Sequence, residues 1–182
     1  MNALLIGLLY QALWFALVIG ASRGHTAIPL VGAAVLVVAR LVATRRRRQR
    51  AARAIAAVLL GIVIEGVPAF LSWCAYASPE LAVPVGGAPV WLLAIWAAFA
   101  VTLDAWEHLV RRHWWIAALL GAIGGPLAYA GAARTFDVIV FPQASPGLAG
   151  MIAWWATCWA IALPLLLAVG TRGPAASGED AD

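Results

Sequence analysis

Lysine is missing from this chain, and charge of either sign is scarce. Charged residues make up 11% of its 182 residues, while hydrophobic ones reach 64%. A soluble domain usually carries about a quarter charged residues, so this composition excludes an ordinary soluble globular fold. Cysteine is nearly absent as well. Its two copies, Cys74 and Cys158, stand near the outer end of one apolar run and the middle of another. At ~1.5 Å per helical residue their depths differ by roughly 12 Å, beyond disulfide reach. They also lack the C-x-x-C spacing of a metal or redox site. No Walker loop, dinucleotide fingerprint, GxSxG elbow or HExxH occurs. The sequence therefore points to no cofactor and no metal, and leaves open whether the protein is an enzyme.

What the chain has in abundance is long apolar runs. Six of them, at 3–21, 27–44, 54–76, 89–110, 114–133 and 149–170, approach the ~20 residues that cross a bilayer as a helix. The expected fold is an all-α integral membrane protein, a compact bundle of about six transmembrane helices. Residues 1–170 form a single transmembrane domain in this reading, and 171–182 a disordered acidic tail. The first run has no basic segment before it and a second run directly after it. It is therefore expected to be a retained helix rather than a signal peptide.

All twelve basic residues are Arg, and their placement is one-sided. Arg45 to Arg48, Arg50 and Arg53 join runs two and three, Arg111 and Arg112 join runs four and five, and Arg172 follows run six. Six crossings put these nine on one face, or ten with Arg40, against Arg23 and Arg134 on the other. The positive-inside rule makes the Arg-rich face cytoplasmic, along with both termini. The same rule accounts for the net charge of +4. Its expected partner is an anionic lipid surface, worth about 1 kcal/mol per Arg near the headgroups, not nucleic acid.

On the opposite face, residues 78–89 hold three prolines and two glycines and read as a turn-rich connection. Residues 134–147 contain the apolar run Val138 to Phe141, which is expected to dip into the outer interface. The ten tryptophans are read as an aromatic belt. Trp73, Trp91, Trp154 and Trp155 are assigned to the outer boundary, and Trp106, Trp114 and Trp115 to the inner one.

Two carboxylates lie inside apolar runs, where hydrocarbon cannot solvate them. Glu65 is near mid-depth in the third run, on one helical stripe with Gly61 and Pro68. Pro68 lacks an N–H, so the carbonyl of Ile64 loses its helical donor. Glu65 is either a donor to a carbonyl freed in this way or a functional group, a proton carrier or a polar anchor for substrate. Asp104, Glu107 and His108 share a helical face in the fourth run, with Glu107 expected to pair with Arg111. In the fifth run Gly121 and Gly125 form a G-x-x-x-G face ahead of Pro126 and Tyr129. Close helix packing and a broken helix lining a pocket both fit that motif. Gln11, at mid-depth in the first run, suits an interhelical hydrogen bond or a site. The candidate binding set is Gln11, Glu65, Asp104, His108, Gly125 and Tyr129, with Glu65 and Asp104 as the candidates for chemistry. Both acids are expected to face inward toward the small face of the fifth helix.

Runs four and five, WLLAIWAAFAVTLDAWEHL and ALLGAIGGPLAYAGAAR, resemble the DUF2878 family of bacterial inner-membrane proteins. The opening Asn2 to Trp14 region and the acid of the third run extend the likeness. Two positions depart from the family pattern. Asp104, Ala105 and Trp106 stand where an Asn-His or Asn-x-Ser usually follows the Thr-Leu pair, and Glu65 stands where Asp is usual. The resemblance implies a multi-pass protein of the bacterial inner membrane. Family members are often encoded near enzymes that modify membrane fatty acids. This implies a lipid-linked role, with membrane lipids and membrane-associated fatty-acid-modifying enzymes as partners. A proton-coupled small-molecule transporter and a non-catalytic membrane scaffold are the rival classes.

The Arg bias makes a direct prediction about topology. Reporter fusions at residues 50 and 140 are expected to land on opposite sides of the membrane, with residue 50 cytoplasmic. Fusions reporting the same side would refute the six-crossing arrangement.

Overall fold

The computed structural model describes residues 3–105, 107 and 113–171; the tail assigned above to 171–182 lies outside them apart from Thr171. Among the described residues, six helices form an all-α bundle of membrane type. They are α1 (Ala3–Ser22), α2 (Ala27–Val42), α3 (Arg47–Phe70), α4 (Val90–Thr102), α5 (Trp114–Phe136) and α6 (Gly147–Thr171). A 3₁₀ turn, Leu103–Ala105, follows α4. Four helices, α1, α3, α5 and α6, are long and apolar enough to cross a bilayer, and α2 and α4 are shorter. Two small antiparallel ladders lie between helices. One pairs β1 (Ala75–Tyr76) with β4 (Ile139–Val140), and the other pairs β2 (Ala82–Val83) with β3 (Ala88–Pro89).

Burial follows the logic of an apolar solvent. Large side chains face outward and small ones make the helix contacts. Along α2, Ile28, Val31, Val35, Val38 and Val42 are exposed while Ala33 is buried. Along α5, Leu119, Leu120, Ile123 and Leu127 are exposed while Ala117, Gly121 and Gly125 are buried. The helix that breaks this pattern is α4. It is apolar all round and buried at most of its positions, as a central helix should be. It packs on α3, α2 and α1, while α5 and α6 pack chiefly on each other and α6 also on α3.

The largest departures from the apolar runs are at α3 and α4: α3 ends at Phe70 rather than 76, ahead of β1, and the other two involve ion pairs. The third helix begins at Arg47 rather than 54, so Arg50 and Arg53 are helical. Arg is a good helix former, and both side chains turn inward to carboxylates. The fourth helix ends at Thr102, and the 3₁₀ turn redirects the chain at Asp104. There Arg40 donates from Nη2 to Asp104 Oδ1 at 2.7 Å and from Nε to the Val101 carbonyl at 3.2 Å. Arg50 donates to the other Asp104 oxygen and to the Arg40 carbonyl. Each guanidinium thereby caps the C-terminus of another helix, where carbonyls lack helical donors and the dipole is negative. Arg53 pairs with Glu107 at 3.0 Å. The expected partner Arg111 lies outside the described residues.

Several tryptophans leave the assigned belt. Trp91 and Trp155 are buried in the core, whereas Trp114 and Trp115 are exposed at the start of α5, as a belt requires. Within the run Val138 to Phe141, Ile139–Val140 form the strand β4. The run pairs Tyr76 with Ile139 and buries Val138 and Ile139 against the bundle. Cys74 and Cys158 are both free.

Glycine placement separates packed helix faces from open ones. A β-carbon at Gly61 would approach the Trp96 ring to 2.8 Å, whereas one at Gly131 would meet nothing within 4 Å. Gly61→Ala is expected to lower stability by about 1–3 kcal/mol through overpacking. Gly131→Ala should be neutral or stabilising by up to ~1 kcal/mol, because Ala is the better helix former. Thermal unfolding in detergent tests the pair, and equal shifts of the same sign would contradict the packing described.

Candidate functional site

Glu65 is fully buried, eleven residues beyond Ala54 in α3, or roughly 17 Å along the helix. With no water to solvate it, the carboxyl group is solvated by the protein. Tyr76, on β1, donates its hydroxyl to Oε2 at 2.9 Å. The Trp96 indole N–H, from α4, donates to Oε1 at 3.1 Å, and the Tyr129 hydroxyl, from α5, donates to the same oxygen. Three elements remote in sequence thus converge on one side chain of a fourth. An indole N–H can only donate, so Trp96 requires an acceptor at that point.

Two stacked aromatic pairs hold these donors in place. Trp96 stacks on Trp159 of α6 at 4.3 Å, and Tyr129 stacks on Trp155 of α6 at 4.4 Å. Gly61 leaves room for the Trp96 ring. Gly121 and Gly125 leave room for Trp159, its backbone carbonyl against the first and its ring against the second. The G-x-x-x-G face is therefore the packing surface between α5 and α6, and its glycines are what let the indole lie where it supports Trp96.

Beside this network lies a cavity of about 310 Å³ between α1, α4, α5 and α6. That volume falls in the ~300–1,000 Å³ range of small-molecule pockets. Its wall is aromatic, with Tyr10, Trp14, Trp91, Phe99 and Trp159 among its members. Trp96 and Tyr129 line it too. These two are also Glu65's donors, so a molecule in the cavity meets the carboxyl group's hydrogen-bond network there.

The residues singled out in the sequence do not all come together. Gly125 and Tyr129 line the cavity, with Glu65 directly behind Tyr129. Gln11 is exposed and lines a neighbouring groove of about 390 Å³ between α1 and α5. Asp104 lies elsewhere. It is tied to Arg50, fifteen residues before Glu65 in α3, which is roughly 22 Å along the helix. The two acids therefore do not share a pocket: Glu65 is near mid-depth, whereas Asp104 belongs to the ion pairs at the Arg-rich end. His108 lies outside the described residues. Among the described residues no three His, Cys, Asp or Glu side chains are grouped to hold a metal. Sequence reasoning missed Tyr76, Trp96 and Trp159. Their signal was available, since Trp96 and Trp159 sit inside their helices rather than at the ends, where a belt does not explain them.

Pro68 also leaves its mark here. The Ile64 carbonyl, deprived of its helical donor by the proline ring, accepts the Trp154 indole N–H at 2.9 Å. Glu65, the donor considered from sequence, bonds elsewhere. Trp154→Phe keeps the ring but strips the donor, and should cost about 1–3 kcal/mol for a carbonyl left bare. Pro68→Ala restores a backbone N–H, so the double substitution should lose less than the two single losses added. Unfolding measured over the four-protein cycle gives the coupling. Strict additivity would mean that the Trp154 bond does not replace the missing helical one.

No curated protein and no solved structure matches the chain. One family does, over nearly its whole length and across every element that builds the Glu65 network and the cavity wall. Residues 3–165 match the family described as a protein of unknown function (DUF2878), and the chain belongs to that family.

Proposed function

We propose that the protein binds a lipid-derived apolar chain, fatty-acyl or isoprenoid, in the cavity between α1, α4, α5 and α6. The polar end of the ligand lies against Tyr129 and Trp96, within the hydrogen-bond network of Glu65. The observation that carries this reading is the cavity itself. It is of ligand size and walled by aromatic and aliphatic side chains, with one buried carboxyl group reached through two of those walls. Pockets of that kind use apolar surface for affinity and a few polar groups for orientation. In this reading Glu65 and Tyr129 are the site residues, Gly125 shapes the wall and Gln11 stands just outside it. Asp104 positions the Arg-rich end instead of contacting ligand. That end faces the cytoplasm of a bacterial inner membrane, and the bound lipid is one that membrane-associated fatty-acid-modifying enzymes make or use.

A second reading, a proton-coupled transporter, draws on the same carboxyl group. Glu65 has neutral donors around it rather than a cation, as a proton carrier near mid-bilayer would.

Mass spectrometry of lipid extracts from a deletion strain separates these classes. The acyl or isoprenoid profile is expected to change and to be restored by the wild-type gene. Gly124→Phe should not restore it, because Gly124 lines the cavity and a β-carbon there meets nothing within 4 Å. The larger ring would therefore fill the cavity without displacing the helix. Restoration by Gly124→Phe and Glu65→Gln alike would reject the lipid site and leave the scaffold. An unchanged profile in the deletion strain, with proton flux abolished by Glu65→Gln, would favour the transporter.

A further inference from the structure

We infer that the ligand reaches the cavity sideways from the bilayer, through the groove between α1 and α5, so that its source is a chain already dissolved in the membrane. This inference rests on the lipid-binding reading and adds the route of entry. The groove and the cavity adjoin, because Tyr10, Trp14 and Ala128 line both. Helix α1 is held mainly by α4 and α2 and touches α5 only lightly. The α5 surface along the groove and the adjoining cavity wall has open positions between its larger side chains. Gly124 and Gly131 are exposed, and a β-carbon at either would meet nothing within 4 Å. Around the helix from them, Gly121 and Gly125 are filled by Trp159. The same helix thus has one glycine face that packs and another that stays open.

The outer end of the bundle is covered, in contrast to this seam. At the outer end the β1–β4 ladder buries Tyr76, Val138 and Ile139. The Trp91 indole donates to the Ala77 carbonyl and the Ser78 hydroxyl to the Ala21 carbonyl, each at 2.9 Å. A smaller hollow of about 190 Å³ under that loop shares only Trp91 with the cavity. At the opposite end the Arg40, Arg50 and Asp104 bonds tie α2, α3 and the turn after α4 together. Gln11, exposed near the middle of α1, gives the seam an amide beside the hydroxyls of Tyr10 and Thr135. An amide is costly in hydrocarbon without a partner, and the head of a passing amphiphile supplies one.

The test uses the full chain in preformed phospholipid vesicles, with a diazirine-bearing fatty acid as the probe. Photolabelling is sampled over time and mapped by peptide mass spectrometry. Wild type should be labelled on cavity residues. Gly131→Phe and Thr135→Trp each place a ring in the groove, since both positions line it and neither lines the cavity. Each is expected to slow cavity labelling at least tenfold, while Gly131→Ala keeps the wild-type rate and Gly124→Phe removes cavity labelling altogether. Melting curves establish which variants fold, and either groove variant suffices. Wild-type rates in a folded groove variant, with labelling abolished by Gly124→Phe, would overturn the lateral route and leave the lipid site standing. Absence of cavity labelling in the wild type would overturn both.

Discussion

The structure is organised around the need to solvate one carboxyl group where there is no water. Glu65 takes its donors from β1, α4 and α5, so the positions of those elements around α3 are mutually fixed. Each donor brings further requirements. Trp96 needs the gap at Gly61 and the support of Trp159, and Trp159 in turn needs the glycine face of α5. Tyr129 needs Trp155 beneath it. Tyr76 needs the ladder that β4 provides. In water such a network would be a modest contribution. In hydrocarbon an unmade bond costs several kcal/mol, which is why so much of the packing is arranged to make these.

A second polar centre, at the Arg-rich end, has a different character. There the carboxylates face guanidinium groups and the bonds are charge-assisted. Arg40 and Arg50 each bond Asp104 together with the carbonyl of a helix end. The α2 and α4 termini are therefore finished by side chains from other helices rather than by their own capping residues. This explains why neither helix needs to run the full depth of a bilayer. The α4 end stops inside the protein, at buried Thr102 and Leu103, where backbone groups are satisfied by neighbours.

Most of the fold could be read from the sequence because its determinants are local. Apolar runs of bilayer length, clustered Arg and glycine spacing are all visible along the chain. Each helix matches its run, with the largest shifts at α3 and α4. The start of α3 and the end of α4 were illegible because ion pairing is tertiary. Nothing adjacent to Arg50 or Arg53 announces that Asp104 and Glu107 will meet them. The Glu65 site was half legible. Its depth marked the acid, and the GAIGGP motif marked Tyr129's helix, but Trp96 and Tyr76 are donors chosen by three-dimensional proximity. The pairing of Asp104 with Glu65 failed for a related reason. Depth counted from the ends of assumed spans separated the acids by roughly 7–10 Å, close enough for one pocket, whereas the 3₁₀ turn and the early start of α3 assign Asp104 to the Arg-rich end.

The burial of α4 also bears on how the molecule is assembled. A chain made from its N-terminus inserts α1, α2 and α3 first, yet these three touch one another lightly and α4 heavily. Until α4 arrives, Arg40 and Arg50 have no Asp104 to share and the Glu65 carboxyl lacks its indole donor. The first three helices thus carry polar groups whose partners the fourth supplies, and the joining of α1, α2 and α3 into one body rests on the helix buried among them.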